Sequence, residues 1–313
     1  MFPVRLACLF LALPVLRAAP PQRVDNQASK GPWTLAWSWQ PGWVHEMEAK
    51  TETRLLDPAS QPAHLPSLLQ VRQRTSLAVR SGAQGERRVE IRIQSIDGEV
   101  HRGGEVERFD SRRPTEASTQ VRALLRSVGE GFVLKYSQDG GYLGMEGLAV
   151  PSVNEGQWAD LLELAARRQS AELFEQSLRW GLPFDQVTPG QSWDLSGTLR
   201  FPSSGEVEVS GKATLQQVRM VLGKPEAQIV FAGRLATLAE DRGARTVSVG
   251  DGSSLQGSLT WDLHRGLLLR SDQRTTLHLQ LRDRKLPLSQ RVQLRLLGSS
   301  QESNPSELKP GGP

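Results

Sequence analysis

Four tryptophans near the start of the chain are the residues best placed for recognition chemistry. Trp33, Trp37 and Trp39 are spaced by even numbers of residues, with Leu35 between them, and Trp43 follows a Pro41-Gly42 turn. Strand side chains alternate between faces, so this spacing puts Trp33, Leu35, Trp37 and Trp39 on one side. Such a face is either core or an open platform on which a sugar or a lipid chain stacks. Core is the expected reading, with the platform as its rival. A second group is basic. Arg270, Arg274, Arg282, Arg284, Arg291 and Arg295, with Arg265 and Lys285, face only Asp272 and Asp283 between residues 264 and 298. These arginines are candidate contacts for an anionic lipid surface or an acidic envelope polymer. The competing reading is the polar face of solvated strands, which also discourages edge pairing.

Catalytic and metal-binding patterns fail on inspection. The histidines (His45, His64, His101, His264, His278) are scattered singly, whereas a zinc site needs three or four convergent ligands. His45 beside Glu46 and Glu48 reads as a solvated strand edge. "GQSWD" at Gly190 to Asp194 has a serine but lacks the second glycine of a hydrolase elbow. "GEVEVSGKAT" spaces Gly205 and Gly211 one residue too far apart for a phosphate loop, and Ala213 stands where Ser or Thr must hold magnesium. No cofactor or metal is expected, and the chain reads as non-catalytic.

The termini bound the domain. Arg5 precedes the apolar run Leu6–Leu16, and no acidic residue appears before Asp25, the pattern of a secretory signal peptide over 1–18. The run is too short to span a bilayer, which takes about 20 apolar residues. Cys8 is the sole cysteine, so removal of 1–18 leaves no disulfide or thiolate chemistry. Secretion or a periplasmic location is expected, with no transmembrane segment after cleavage. Residues 19–32 read as a flexible leader and 299–313 as a disordered tail, which leaves 33–298 as one domain. Lys+Arg number 38 against 34 Asp+Glu; without Arg5 and Arg17 the count is 36 against 34. That balance gives no reason to expect nucleic acid.

Within 33–298 the dominant signal is period-two alternation. Val89, Ile91 and Ile93 alternate with Glu90, Arg92 and Gln94, and Asp97-Gly98 reads as a hairpin turn. Phe132, Leu134 and Tyr136 alternate up to Asp139-Gly140-Gly141, and Gly223-Lys224-Pro225 separates Val218–Leu222 from Ile229–Leu235. Trp43–Leu55 reads as a polar, partly exposed strand. Two stretches are helical by spacing: 118–128, stopped by Gly129, and about 155–180, whose segment 153–181 joins two β-rich halves. Pro189-Gly190 then turns the chain into a strand with Trp193, Leu195, Gly197 and Leu199 on one face, Trp193 being the expected buried anchor. The fold class is α+β, mainly β: a large curved antiparallel sheet with the 155–180 helix packed on or across it.

Four short stretches carry a family resemblance: "LAWSWQPGWVHE", "FVLKYSQDGGYLGMEG", "LPFDQVTPGQSWDL" and the G-x-L-x-W-D-L-x-x-G pattern from Gly257 to Gly266. In these the chain resembles secreted bacterial proteins grouped as a domain of unknown function. The resemblance implies a secreted β-rich fold and supplies no catalytic residue. The function expected first is therefore an envelope-associated binding or structural module whose partner is an envelope polymer, a lipid or a protein. A carrier holding an apolar, lipid-like ligand in a half-barrel is the alternative, and an enzyme of unrecognised class the second alternative.

Overall fold

A computed structural model describes residues 31–57, 66–113, 118–146, 182–183, 185–201, 205–237, 248–281 and 284–302. Its strands are β1 (Trp43–Leu55), β2 (Leu68–Ser81), β3 (Arg87–Arg102), β4 (Glu105–Asp110), β5 (Gly131–Tyr136), β6 (Tyr142–Glu146), β7 (Ser192–Phe201), β8 (Gly205–Val221), β9 (Lys224–Thr237), β10 (Ser248–Val249), β11 (Ser254–Asp262), β12 (Leu267–Leu281) and β13 (Arg284–Gln301). They form one open antiparallel sheet in the order β6-β5-β3-β2-β1-β13-β12-β11-β9-β8-β7, with β4 added beside β3 and β10 beside β12. The first and last long strands therefore meet at the centre, where β1 pairs β13 from Trp43–Gln301 to Leu55–Leu288.

The sheet is mainly β, as the alternation implies, and its inward positions are buried along strand after strand. The short helix α1 (Thr119–Leu125) falls inside the expected 118–128. Its N-cap Ser118 accepts a bond from the Val121 N–H, and Gly129 beyond it takes φ +86°. The expected helix at 155–180, the signal peptide 1–18 and the leader up to residue 30 lie outside the described residues.

Several local expectations are corrected. Asp97-Gly98 is not a turn: β3 runs straight through it, and Gly98 faces Phe109 of β4 directly across the ladder. A Cβ on Gly98 would lie 2.0 Å from the Gln70 carbonyl oxygen and 2.8 Å from the Phe109 ring, so the glycine makes room for the neighbouring backbone and for an aromatic side chain beside it. Gly257 repeats the device opposite Phe231, with the ring 2.6 Å from the position of a Cβ. The β3–β4 turn falls instead at Gly103-Gly104, both at positive φ. Trp43–Leu55 is a central strand, flanked by β2 and β13, and it is partly exposed, with Glu46, Lys50 and Arg54 open on its outward side. β13 continues to Gln301, three residues beyond the expected end of the domain. Residues 33–40 form no strand. Their one ladder contact is the bridge between Trp33 and Val187.

The sheet is tightly curled. Tyr136 on β5 and Trp261 on β11 are joined by three ring contacts, Tyr136–Trp39 at 5.4 Å, Trp39–Trp37 at 4.6 Å and Trp37–Trp261 at 4.8 Å. The two rings are thus within about 15 Å, the length of that series of contacts. In a flat sheet six strand steps of ~4.8 Å would hold them roughly 29 Å apart. Twist and bulges let strands curl this far. Bulges occur at Glu46/Met47, Arg74/Thr75, Leu215/Gln217 and Thr260/Trp261.

Candidate functional site

Two features of the concave face stand out from an ordinary apolar core. The first is a belt of polar side chains across the four central strands. Thr75 on β2, Thr51 and Thr53 on β1, Gln290 on β13, and Ser271, Gln273 and Thr275 on β12 are all buried on inward positions. They bond among themselves: Gln73 Nε2 donates to Thr75 Oγ1 (3.0 Å), Gln273 Nε2 to Thr275 Oγ1 (3.2 Å), and Gln290 Nε2 to Thr53 Oγ1 (3.3 Å). An apolar core gains nothing from such a belt, since each bond returns little beyond the cost of desolvating its partners.

The second feature is a set of partly exposed inward positions beside the belt. Ile93, Gln73, Ala49 and Leu296 point inward on neighbouring strands yet keep partial solvent access. Toward both strand ends the inward positions close again: Leu55, Leu69 and Leu288 are buried on one side, and Leu77, Val79 and Val89 on the other. At the centre of the concave face, inward apolar side chains thus keep some solvent access between buried flanks.

One mouth of the curl is closed by the tryptophan segment. Residues 33–40 form a strap that starts at the Trp33–Val187 bridge and bonds Gly266 through the Ser38 N–H (2.9 Å). Its Trp37 carbonyl lies against the β5–β6 turn, 3.4 Å from where a Cβ on Gly140 would sit. The strap so touches turns from opposite walls of the curl. Trp39 and Leu35 are buried, while Trp33 and Trp37 pack partly buried against the core. Trp43 stands apart from this group and stacks on His45 at 6.5 Å.

At the same end sits a charged cluster. Asp262 is buried; it accepts from the His264 and Arg265 backbone N–H groups and from Arg265 Nε at 2.6 Å. Burial opposes its charge, but the Arg265 bonds prevail and hold the carboxyl below its ordinary range. Glu226 lies directly opposite Asp262 in the ladder, and burial followed by the Asp262 charge pushes its carboxyl up. His45 is 5% exposed, a correction to its expected place on a solvated edge. Its strand is central, so burial, and then the charge of Arg265, lower its imidazole to about 4. Nδ1 shares a hydrogen bond of 2.9 Å with Ser299 Oγ. Asp262 has a structural occupation, since its bonds shape the β11–β12 turn. Among the described residues no group of three or more His, Cys, Asp or Glu is arranged to hold a metal.

The arginine group lies elsewhere, on the outward face. Arg270 faces Arg295, and Arg274 faces Arg291, directly across β12 and β13. Arg291 bonds Asp272 through Nε (3.1 Å) and Nη2 (2.9 Å), and Glu48 and Glu52 of β1 flank the block from the next strand. Arg282 lies outside the described residues, and Arg284 opens β13. The basic bias of the sequence is therefore interleaved with carboxylates on one side and left unbalanced on β12.

No protein-family model and no curated protein matches the chain. Among solved structures it is similar to one titled "Lipid-protein interactions in lipovitellin", at a TM-score of 0.49 and 11% identity over 86% of this chain. The match takes in 26% of that protein's chain, so this sequence spans about a quarter of its length.

Spacing alone put Trp33, Trp37 and Trp39 on one face and did not bring out their strap geometry, the polar belt or the burial of His45. The belt had a signal: Gln73 and Gln273 each stand two residues before a threonine on the apolar face of a strand.

Proposed function

We propose that this is a non-catalytic binding protein, secreted or periplasmic, that holds an apolar, lipid-like ligand against the concave face of its sheet. The observation that carries this reading is the partial solvent access of Ile93, Gln73, Ala49 and Leu296, inward positions that we read as an opening at the centre of a curled sheet, bordered by buried hydroxyls and amides. Sites for small apolar ligands are concave and mostly apolar, with a few placed polar groups that fix orientation. The belt supplies those groups. The strap accounts for one closed mouth, so a chain would enter from the centre and lie along the strands. The buried carboxylates and His45 are occupied in turn geometry and packing, which supports a binding role over a catalytic one.

The test is uptake of a pyrene-labelled acyl chain by the full protein, with Ala49→Phe as the blocking variant. Ala49 lies inward between Gln73 and Leu294, so a phenyl ring there fills the opening. Saturable uptake by the wild type, lost in a folded Ala49→Phe protein, is expected. Equal uptake by both, or none by either, would remove the concave face from consideration.

A further inference from the structure

The mouth closed by the strap contains polar hydrogens that nothing nearby accepts. Trp261 and Trp39 are 1% and 4% exposed, and neither indole N–H has an acceptor among the described residues. The Trp33 indole N–H and His45 Nε2 at the same end are likewise buried without a partner. Leaving a buried donor unmade is costly, and native structures hold few such groups. Phenylalanine would supply an aromatic ring there without that cost. Two of the four indole donors or imidazole positions flank one ring, because Trp37 stacks on Trp39 and meets Trp261 edge-on.

The strap above them is lightly held. Among the described residues, one backbone bond ties it to another element between the Trp33–Val187 bridge and Gln40, the Ser38 N–H to the Gly266 carbonyl. The next, from the Gly42 N–H to the Val79 carbonyl, lies in the turn that follows. Segments with few backbone bonds open at low free energy. The charges at this end also limit the ligand. Arg265 is already neutralised by Asp262, so this guanidinium is not free to meet a buried carboxylate. Indole N–H groups are neutral donors suited to a neutral carbonyl oxygen.

We propose that residues 33–40 are a lid, and that the ligand's polar end lies beneath it as a neutral acyl carbonyl taken by the Trp39 and Trp261 indole N–H groups. This rests on the reading of the concave face as an apolar ligand site and assigns the direction in which the ligand lies: carbonyl to the closed mouth, hydrocarbon toward the centre.

Three probes of one chain length separate the possibilities: methyl palmitate, palmitate at pH 8 and hexadecane, each delivered from cyclodextrin and followed by intrinsic tryptophan fluorescence. A net hydrogen bond is worth about tenfold in affinity at most. Methyl palmitate should therefore bind about tenfold tighter than hexadecane and tighter than palmitate. Trp39→Phe and Trp261→Phe, which keep an aromatic ring and remove the N–H, should each erase most of the ester preference while hexadecane affinity holds. If one variant fails to fold, the other and the wild-type preference still decide. Ester and alkane bound equally by the wild type, or the preference unchanged in both variants, would overturn the assignment and leave the apolar site standing. Palmitate bound tightest would replace the neutral carbonyl by a carboxylate and overturn it too. No binding of any probe would overturn both readings. The lid is tested separately by Thr34→Cys with Gln186→Cys in a Cys8→Ser background, an exposed pair in side-chain contact beside the Trp33–Val187 bridge. Oxidation should slow ester uptake at least about tenfold and reductant should restore it, whereas equal rates would show that the strap does not move.

Discussion

A Cβ placed on Gly266 would lie 2.6 Å from Cβ of Ser38 and 2.8 Å from the Ala36 carbonyl oxygen. The turn that ends β11 and the strap that closes the sheet meet there at backbone distance. Gly266 also takes φ +61°, a left-handed conformation that costs other residues of order 1–2 kcal/mol. Gly266→Ala should therefore lower stability by about 2–3 kcal/mol through strain and displacement of the strap together. Iodide quenching of tryptophan should rise in the same variant, since Trp37 and Trp39 are held down by this contact. A variant that melts and quenches like the wild type would mean that the strap is anchored elsewhere.

Trp39 and Trp193 should rank differently under truncation. Trp193 does not fill the buried position expected of it: it stays partly exposed on β7, which among the described residues pairs β8 alone. Trp39 is buried between Trp37 and Tyr136. Trp39→Ala should cost about 3–5 kcal/mol, the range for a large aromatic removed from a core. Trp193→Ala should cost roughly half that or less, because solvent already reaches its ring. Urea denaturation of the two variants gives the order directly, and the reverse order would contradict the burial described above.

Alternation carried most of the fold into view. Runs such as Leu277, Leu279 and Val292, Leu294 have one apolar face because one face of the sheet is buried, and period two follows from strand geometry alone. What stayed hidden depended on pairing between distant residues. Gly98 reads as a turn residue until Phe109 is seen across the ladder. His45 looks solvated among Glu46 and Glu48 until β13 arrives beside it from the other end of the chain. The period of two in Trp33–Trp39 cannot distinguish a laddered strand from an extended strap across a mouth.

The arginine block makes a prediction about charge. Arg274 is exposed and stands opposite Arg291 in the ladder, while Asp272 is already committed to Arg291. Like charges directly opposite each other destabilise a sheet. Arg274→Glu should thus raise stability by about 0.5 kcal/mol at low salt, and the gain should shrink in 0.5 M NaCl as screening removes the repulsion. Any binding to anionic vesicles should fall in the same variant. A loss of stability at low salt would mean that Arg274 has a favourable role on the outward face.

His45 should make stability depend on acid. Its imidazole is lowered to about 4 in the folded chain, first by burial and then by the charge of Arg265, against about 6.5 when unfolded. Between those values the unfolded chain binds a proton that the folded chain does not, so stability rises with pH. The contribution is complete above about 6.5 and is lost as pH falls toward 4, on the order of 3 kcal/mol across the window. Protonation would also put a positive charge beside Arg265 at the end of the sheet where the strap sits. His45→Gln keeps a partner for Ser299 Oγ and removes the titration, so it should flatten this part of the profile. Urea midpoints at pH 5, 6 and 7 measure the effect, with the other histidines common to both proteins. Curves that stay parallel for the wild type and His45→Gln would show that His45 is not the group that titrates.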